Sequence, residues 1–510
     1  MSLFSILYPE NYDRPASDPL QAPEFFSDLN LDQITQAITD RKASYHLNSV
    51  FYTPLNEVDP VRYRQEIMRD LENPELAGVF RSFAQSMRAM RERLAQLDKM
   101  YYPYQQKAWF LDAVELYGDA VVKLLQDLTS CQFTARGLAL FQQYLDGYVG
   151  SDSFRALRSD THRMKQELAR VRYSLRIKGN RVDVRPYHEE PDYSQEVRQT
   201  FEKFSQGAVK SYLVRFPQGP DMNQLEGRIL ERVAQLFPDV FGNVDRYCVN
   251  HADYMDETLA VFDREIQFYL ATLEFIEPLK QAGLPFCYPH LSSSRKAVSV
   301  QEAFDLALAS KLTQEQASVV CNDVLLKDSE RILVVTGPNQ GGKTTFSRMV
   351  GQLHYLARLG CPVPGHSARL FLCDKILTHF EKEENTASLR GKLQDDLIRI
   401  KDIMSEATGD SLIILNEIFT STSLKDASFL SYKILQQILE RDALCVWVTF
   451  IDELASFNDK TVSVVGSVVP EQPALRTYKL VRKPADGLAY ALAIAEKHRV
   501  TYRWLKERII

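Results

Sequence analysis

Through the first 300 residues apolar positions recur three and four apart, the spacing of one helical face. Phe83, Met87, Met90, Leu94 and Leu97, with Arg, Gln and Glu between them, predict an amphipathic helix, and Leu111 to Leu128 predicts a second. The run Tyr101-Tyr102-Pro103-Tyr104 between them marks a bend whose aromatics read as core packing. Phe154 to Tyr173 continues the helical spacing. The period then changes, because Ser174 to Val184 alternates apolar and polar residues around Gly179-Asn180, which predicts a β-hairpin. Helical patterns resume from Tyr193 to Phe204, from Gln224 to Phe237 and from Asp245 to Gln281, where Leu259, Phe262, Ile266, Tyr269, Leu270 and Leu273 mark one face. Extended helices joined by few loops suggest levers. Ahead of them, Pro9, Pro15, Pro19 and Pro23 break any long helix and leave one short amphipathic stretch, Leu31 to Ile38, in an arm.

Gly283, Pro285, Pro289 and the Ser292-Ser293-Ser294 run mark a boundary beyond which the pattern changes again. Short apolar runs now alternate with helical segments: Ile332 to Thr336, Leu370 to Leu377, Leu412 to Leu415, Cys445 to Thr449, Val462 to Val469 and Thr477 to Val481. That alternation predicts a mainly parallel α/β sheet with its ligand at the carboxyl ends of the strands, so the chain as a whole is α plus α/β.

Composition narrows the partners. No run reaches the eighteen or so apolar residues of a membrane span, and Met-Ser-Leu-Phe-Ser opens no secretory signal, so a cytoplasmic protein is expected. The seven cysteines never form a Cys-x-x-Cys pair and read as reduced thiols. A net charge of −6 opposes a large basic footprint but not local basic patches. Arg155, Arg158, Arg163, Lys165, Arg170 and Arg172, followed by Arg176, Lys178, Arg181 and Arg185 of the hairpin, fit either contact with a phosphate backbone or a solvated charged face.

The chemistry concentrates at Gly337-Pro338-Asn339-Gln340-Gly341-Gly342-Lys343-Thr344-Thr345, which follows an apolar strand and opens the helical spacing from Phe346 to Leu359. Gly337, Gly342, Lys343 and Thr344 satisfy G-x-x-x-x-G-K-[ST], the phosphate-binding loop, in the strand-to-helix context it requires. Glycines let backbone N–H groups approach a triphosphate, Lys343 would meet its β- and γ-phosphates, Thr344 would ligate Mg2+, and the helix N-terminus adds its dipole. About seventy residues on, the apolar strand Ser411 to Leu415 ends in Asn416-Glu417, where Glu417 would position or activate water.

These segments, with Val320-Cys321-Asn322-Asp323, Asn416-Glu417 through Ser423 and Asp426, Thr449 with Asp452-Glu453-Leu454, and Leu480 through the stretch beginning at Gly487, resemble the ordered motifs of the MutS ATPase domain. The resemblance implies an arm over 1 to 45, a helical core with lever and clamp helices over 46 to 300, and a P-loop ABC-type ATPase domain over 301 to 510. It further implies ATP and Mg2+ as cofactors, with Asn322 among the nucleotide contacts and Asn416 beside the metal. It also implies a homodimer joined head to tail through the ATPase domains, helical arms that enclose duplex or branched DNA, and a role in DNA repair or recombination.

Three departures qualify that expectation. Only about 45 residues precede the helical core, too few for the family's mismatch-reading domain, and Phe275-Ile276-Glu277 matches its wedge only in letters. Asn416 stands where the family has an aspartate, and Phe450 where it has a histidine that senses the γ-phosphate. Around Ser388 to Leu393 the Ser-Thr-Phe signature is replaced. ATP binding with slow or regulated hydrolysis is expected. The alternative is a nucleotide-gated protein-interaction switch with weak or no ATPase activity and no nucleic-acid substrate.

Overall fold

The computed structural model describes residues 4–13, 21–179, 181–189, 222–381, 391–469, 472–485 and 501–508. The expected helix Tyr193 to Phe204, the turn residue Asn180, Ser388 with its two successors, and the stretch from Gly487 lie outside the described residues. The chain forms two units, one of Met1–Asn73, Phe133–Leu138 and Arg264–Ile510, the other of Pro74–Gln132 and Ala139–Asp263. Residues before 46 share a unit with those beyond 300.

In the second unit, helices Pro74–Leu97 and Pro103–Ser130 pack side by side on either side of the tyrosine bend. Tyr102 fills the space that a Cβ on Gly227 would need, and Tyr104 stacks edge-on against Phe241 at 4.9 Å, so two of the three tyrosines are half-buried packing residues while Tyr101 is exposed. Phe262 lies flat on Phe141 at 3.5 Å. The single helix expected from 245 to 281 is in fact two, Pro238–Asn250 and Glu257–Gln281. Asp256 explains the break: its carboxylate accepts from the Leu259 N–H at 2.9 Å and from the Tyr144 hydroxyl at 2.8 Å, which starts a new helix.

The hairpin is present as β1 (Tyr173–Lys178) and β2 (Arg181–Pro186). Leu175 opposite Val184 and Ile177 opposite Val182 form one face, with Arg176 opposite Asp183 and Lys178 opposite Arg181 on the other. Val184 packs on Val233, Ala234 and Phe241. The basic helix, here Asp152–Ala169, spends much of its charge on acids: Arg158 on Asp119, Arg163 on Asp160, and Lys165 on Asp112 and Glu115. Among the described residues, Arg170, Arg172, Arg176 and Lys178 make no ion pair.

The first unit holds the strands β3 (Phe286–Cys287), β4 (His290–Ser292), β5 (Val298–Ala303), β6 (Asn322–Leu326), β7 (Ile332–Thr336), β8 (Val363–Pro364), β9 (Ser367–Phe371), β10 (Ile376–Phe380), β11 (Leu412–Asn416), β12 (Leu444–Val448), β13 (Thr461–Val469) and β14 (Gln472–Arg482). A six-stranded sheet runs β10-β11-β12-β7-β13-β14, parallel at every pairing except β13 with β14. β7, β11 and β12 are buried throughout, which is why they read as continuous apolar runs. A second sheet, β4-β9-β5-β6, was not foreseen. The expected strand Leu370 to Leu377 divides between the two sheets. After β9 the backbone changes partners, Leu372 N–H donating to Ser292 O and Asp374 N–H to Asp410 O, an exchange that an unbroken apolar pattern conceals.

The N-terminal arm is built into this unit. Glu265 accepts from the Ser5 hydroxyl at 2.7 Å and the Ile6 N–H at 2.7 Å, while Gln352, on the helix after β7, donates to Leu29 O at 2.9 Å. A Cβ on Gly351 would fall 2.7 Å from the Leu29 methyls, so the arm seats where that side chain is missing.

Asp442 ties the sheet to its helices. It caps the helix Leu424–Arg441 in the left-handed region, φ 59°, and its carboxylate meets Arg331 at 2.8 Å and Lys296 and Lys460 each at 3.3 Å. Burial pushes the carboxyl up, but hydrogen bonds from Arg331, Lys296 and Lys460 outweigh it and hold the pKa down to about 2. A depressed pKa stabilises the fold above the unfolded value of 3.8 and loses that contribution as pH falls towards 2. With the side chain 40% exposed, Asp442→Asn is expected to cost on the order of 1 kcal/mol at pH 7. In urea titrations the gap from the parent should close between pH 4 and pH 2, tracking the pKa of about 2.

Candidate functional site

β7 ends at Thr336, and the chain turns through residues 337–342 into the helix Lys343–Arg358. The turn needs its glycines. Gly337 has φ 118° and Gly342 φ 91°, both in the region that side chains disfavour. A Cβ on Gly337 would stand 2.8 Å from the Gly466 nitrogen on neighbouring β13, and one on Gly341 would stand 2.8 Å from Pro338 O. Gln340, φ 58°, completes the turn.

Lys343 points into the turn and is only 4% exposed. Its ammonium donates to Gly337 O at 3.1 Å, Pro338 O at 3.3 Å and Asn339 Oδ1 at 3.4 Å, and lies 3.6 Å from Glu417 Oε1. Burial lowers its pKa, while the charge and hydrogen bond of Glu417 oppose the shift and Arg476 adds to it. The Phe450 ring, 51% exposed, sits over the ammonium at 5.1 Å, so the aromatic that replaces the expected histidine makes a cation–π contact and no hydrogen bond.

Glu417 follows β11 in the left-handed region, φ 53°, where its N–H donates to Val448 O at 2.9 Å at the end of β12. Asn416 is buried at the last position of β11, level with Val448, and its Oδ1 has no hydrogen-bond partner among the described residues. A buried amide oxygen of this kind can accept from a hydrated cation.

A cavity of about 700 Å³ opens above the loop. Asn339, Gln340, Gly341, Gly342, Lys343, Thr344, Thr345 and Glu417 line it together with Leu308, Leu312, Val319, Val320, Met349 and Tyr478. Of the residues expected at a nucleotide, Gly337, Pro338 and Asn416 do not line it. Gly337 and Pro338 act through carbonyls turned to Lys343. Asn322 does line it, but its amide is spent on β14, donating to Tyr478 O at 3.1 Å and accepting from the Leu480 N–H at 2.8 Å. It thereby holds Tyr478, φ 57°, against the cavity. Tyr478 and the apolar wall escaped the sequence reading. Tyr478 sat inside an ordinary strand pattern, and Leu308 with Leu312 looks like any helical i, i+4 pair.

The family described as MutS domain V matches residues 333–503. A DNA mismatch repair protein MutS from Thermotoga petrophila is 23% identical over 283 residues, 54% of this chain and 34% of that protein. The one from Halalkalibacterium halodurans is 31% identical over 181 residues, 35% and 21% respectively. The one from Orientia tsutsugamushi is 27% identical over 215 residues, 41% and 24%. The chain thus spans about a fifth to a third of the length of these relatives.

The turn separates two kinds of glycine. Gly337→Ala should cost about 3 kcal/mol or more, because strained φ and a backbone collision combine. Gly342→Ala, whose nearest neighbours are Tyr478 atoms at 3.7 Å, should cost only the φ penalty of about 1–2 kcal/mol. Guanidinium unfolding of both variants measures the difference.

Proposed function

This chain belongs to the MutS family, and from that premise we propose that it binds ATP with Mg2+ in the cavity above Lys343, hydrolyses it slowly, and couples the nucleotide to DNA engagement by its helical unit. The observation that carries the reading is one cavity lined by a glycine turn, a buried ammonium, apolar side chains and an aromatic. A nucleotide has that polarity: its phosphates suit the turn and Lys343, and its base suits Tyr478, Val319 and Leu312. On binding, Lys343 exchanges the carbonyls of Gly337 and Pro338 for phosphate oxygens.

Mg2+, when bound, supplies charge neutralisation to the phosphates. Thr344 and Asn416 would hold it, and the unpartnered Oδ1 of Asn416 fits an outer contact to a hydrated cation. Glu417 orients the attacking water and accepts its proton. Two features slow the step. Asn416 contributes no charge where a carboxylate would, and Phe450 covers Lys343 without offering a donor.

DNA and a second copy are the proposed partners, the latter through the ATPase domain. The basic face of the hairpin, with Arg176 and Lys178, supports the DNA contact, and the mismatch-repair relatives favour it over a switch that never meets nucleic acid. No described helix is long and apolar enough to cross a membrane.

Lys343→Ala should weaken Mg-ATP binding at least about 100-fold, roughly 2.7 kcal/mol, with the circular dichroism unchanged. Equilibrium titration tests this, and a parent protein without affinity for Mg-ATP would end the reading. Glu417→Gln should keep binding and lower turnover on the order of 100-fold or more. For DNA, Arg176→Glu with Lys178→Glu should weaken duplex binding at every sequence and reduce the slope of log K against log salt by about 2. An unchanged slope would remove the hairpin from the interface.

A further inference from the structure

The segment that carries Glu417 is held from below by a buried polar group that the nucleotide chemistry does not use. Glu417 and Phe419 both lie in the left-handed region, φ 53° and 62°, which non-glycine residues keep only where their surroundings impose it. Two backbone contacts do so here. The Glu417 N–H donates to Val448 O at 2.9 Å, and the Phe419 N–H donates to Asp396 Oδ2 at 3.2 Å.

The second oxygen of Asp396 faces a histidine. Oδ1 lies 3.1 Å from His379 Nε2 without hydrogen-bond geometry, with the two side chains 2% and 10% exposed for His379 and Asp396. His379 stands on edge strand β10, level with Leu415 two residues before Glu417, and Asp396 is on the helix Lys392–Glu406 that covers this face. The same region of the fold holds an apolar cluster that includes Ile400, Leu415, Phe419 and Trp447, with Leu377 packed against it. A hydrophobic pair would cover the sheet there without the desolvation that an imidazole and a carboxylate bring. What the polar pair adds is an acceptor aimed at one backbone N–H, in the strained turn that directs Glu417 towards Lys343.

We propose that Asp396 is a positioning residue for Glu417, fixing the 417–419 turn so that the Glu417 carboxylate stays at the cavity. The proposal rests on Glu417 as the group that activates water, and its test separates the two. In the full chain, Asp396→Ala should lower the single-turnover hydrolysis rate on the order of 10- to 100-fold while the Kd for Mg-ATP stays within about threefold of the parent. Asp396→Asn keeps an oxygen for the Phe419 N–H and should restore most of the rate. Hydrogen exchange of residues 416–421 reads the same contact without turnover: protection should fall in Asp396→Ala and persist in Asp396→Asn.

A parent rate in Asp396→Ala, or unchanged exchange there, overturns the proposal. Loss of rate and of Mg-ATP affinity together in both variants also overturns it, because the pair would then serve the fold alone. If exchange responds as expected but Glu417→Gln turns over like the parent, the base assignment fails while the contact to Phe419 stands.

Discussion

An ammonium taken out of water must be given back its acceptors, and the architecture around Lys343 follows from that need. Two carbonyls, an amide oxygen and the Glu417 carboxylate surround it within 3.6 Å. Burial alone would favour the neutral amine, and Glu417 opposes that shift. The turn is therefore wound about its own lysine, which is why Gly337 and Gly342 must adopt conformations closed to other residues. Any anion that competes for Lys343 must offer better acceptors than those it already has, so the affinity of such a ligand would be a difference between two well-satisfied states.

The sheet order makes this pairing possible. β12 lies between β11 and β7, and the three are parallel and in register, Asn416 level with Val448 and Val448 with Val335. The turn after β7 and the turn after β11 thus emerge at the same edge. Glu417 crosses the end of β12 by donating its N–H to Val448 O, which brings its carboxylate over to Lys343. Leu308 and Leu312 of the apolar lining come from the helix Leu306–Gln314, placed by Gln352. That side chain accepts from the Leu306 N–H at 2.8 Å and donates to Asp305 at 3.1 Å and to Leu29 of the arm. One buried amide thus joins the loop helix, the cavity wall and the arm.

What the sequence made legible was whatever depends on local chemistry. The strands β7, β11 and β12 declared themselves because both faces are buried, and the phosphate turn because its glycines are obligatory. Features set by distant partners were not visible. The division of Leu370 to Leu377 between two sheets depends on Ser292 and Asp410, far away in sequence. The break before Glu257 is local in principle, yet Asp256 caps a helix whose apolar spacing runs on regardless. Asn322 lines the cavity, as its place among the motifs leads one to expect, and its amide also holds the backbone of β14; the side chain it sets against the cavity, Tyr478, carries no signal of its own.

Asn416 and Phe450 belong to the same electrostatic argument. A carboxylate at 416 would be buried at the end of β11 beside Glu417, and two like charges there would compete for one lysine. The amide removes that conflict and leaves Lys343 and Glu417 as a balanced pair, with Phe450 screening the ammonium from one side. The same balance weakens the pull on a divalent cation, because a neutral oxygen replaces a charged one. An amide at 416 and an aromatic at 450 therefore leave the Lys343–Glu417 pair satisfied within the chain itself.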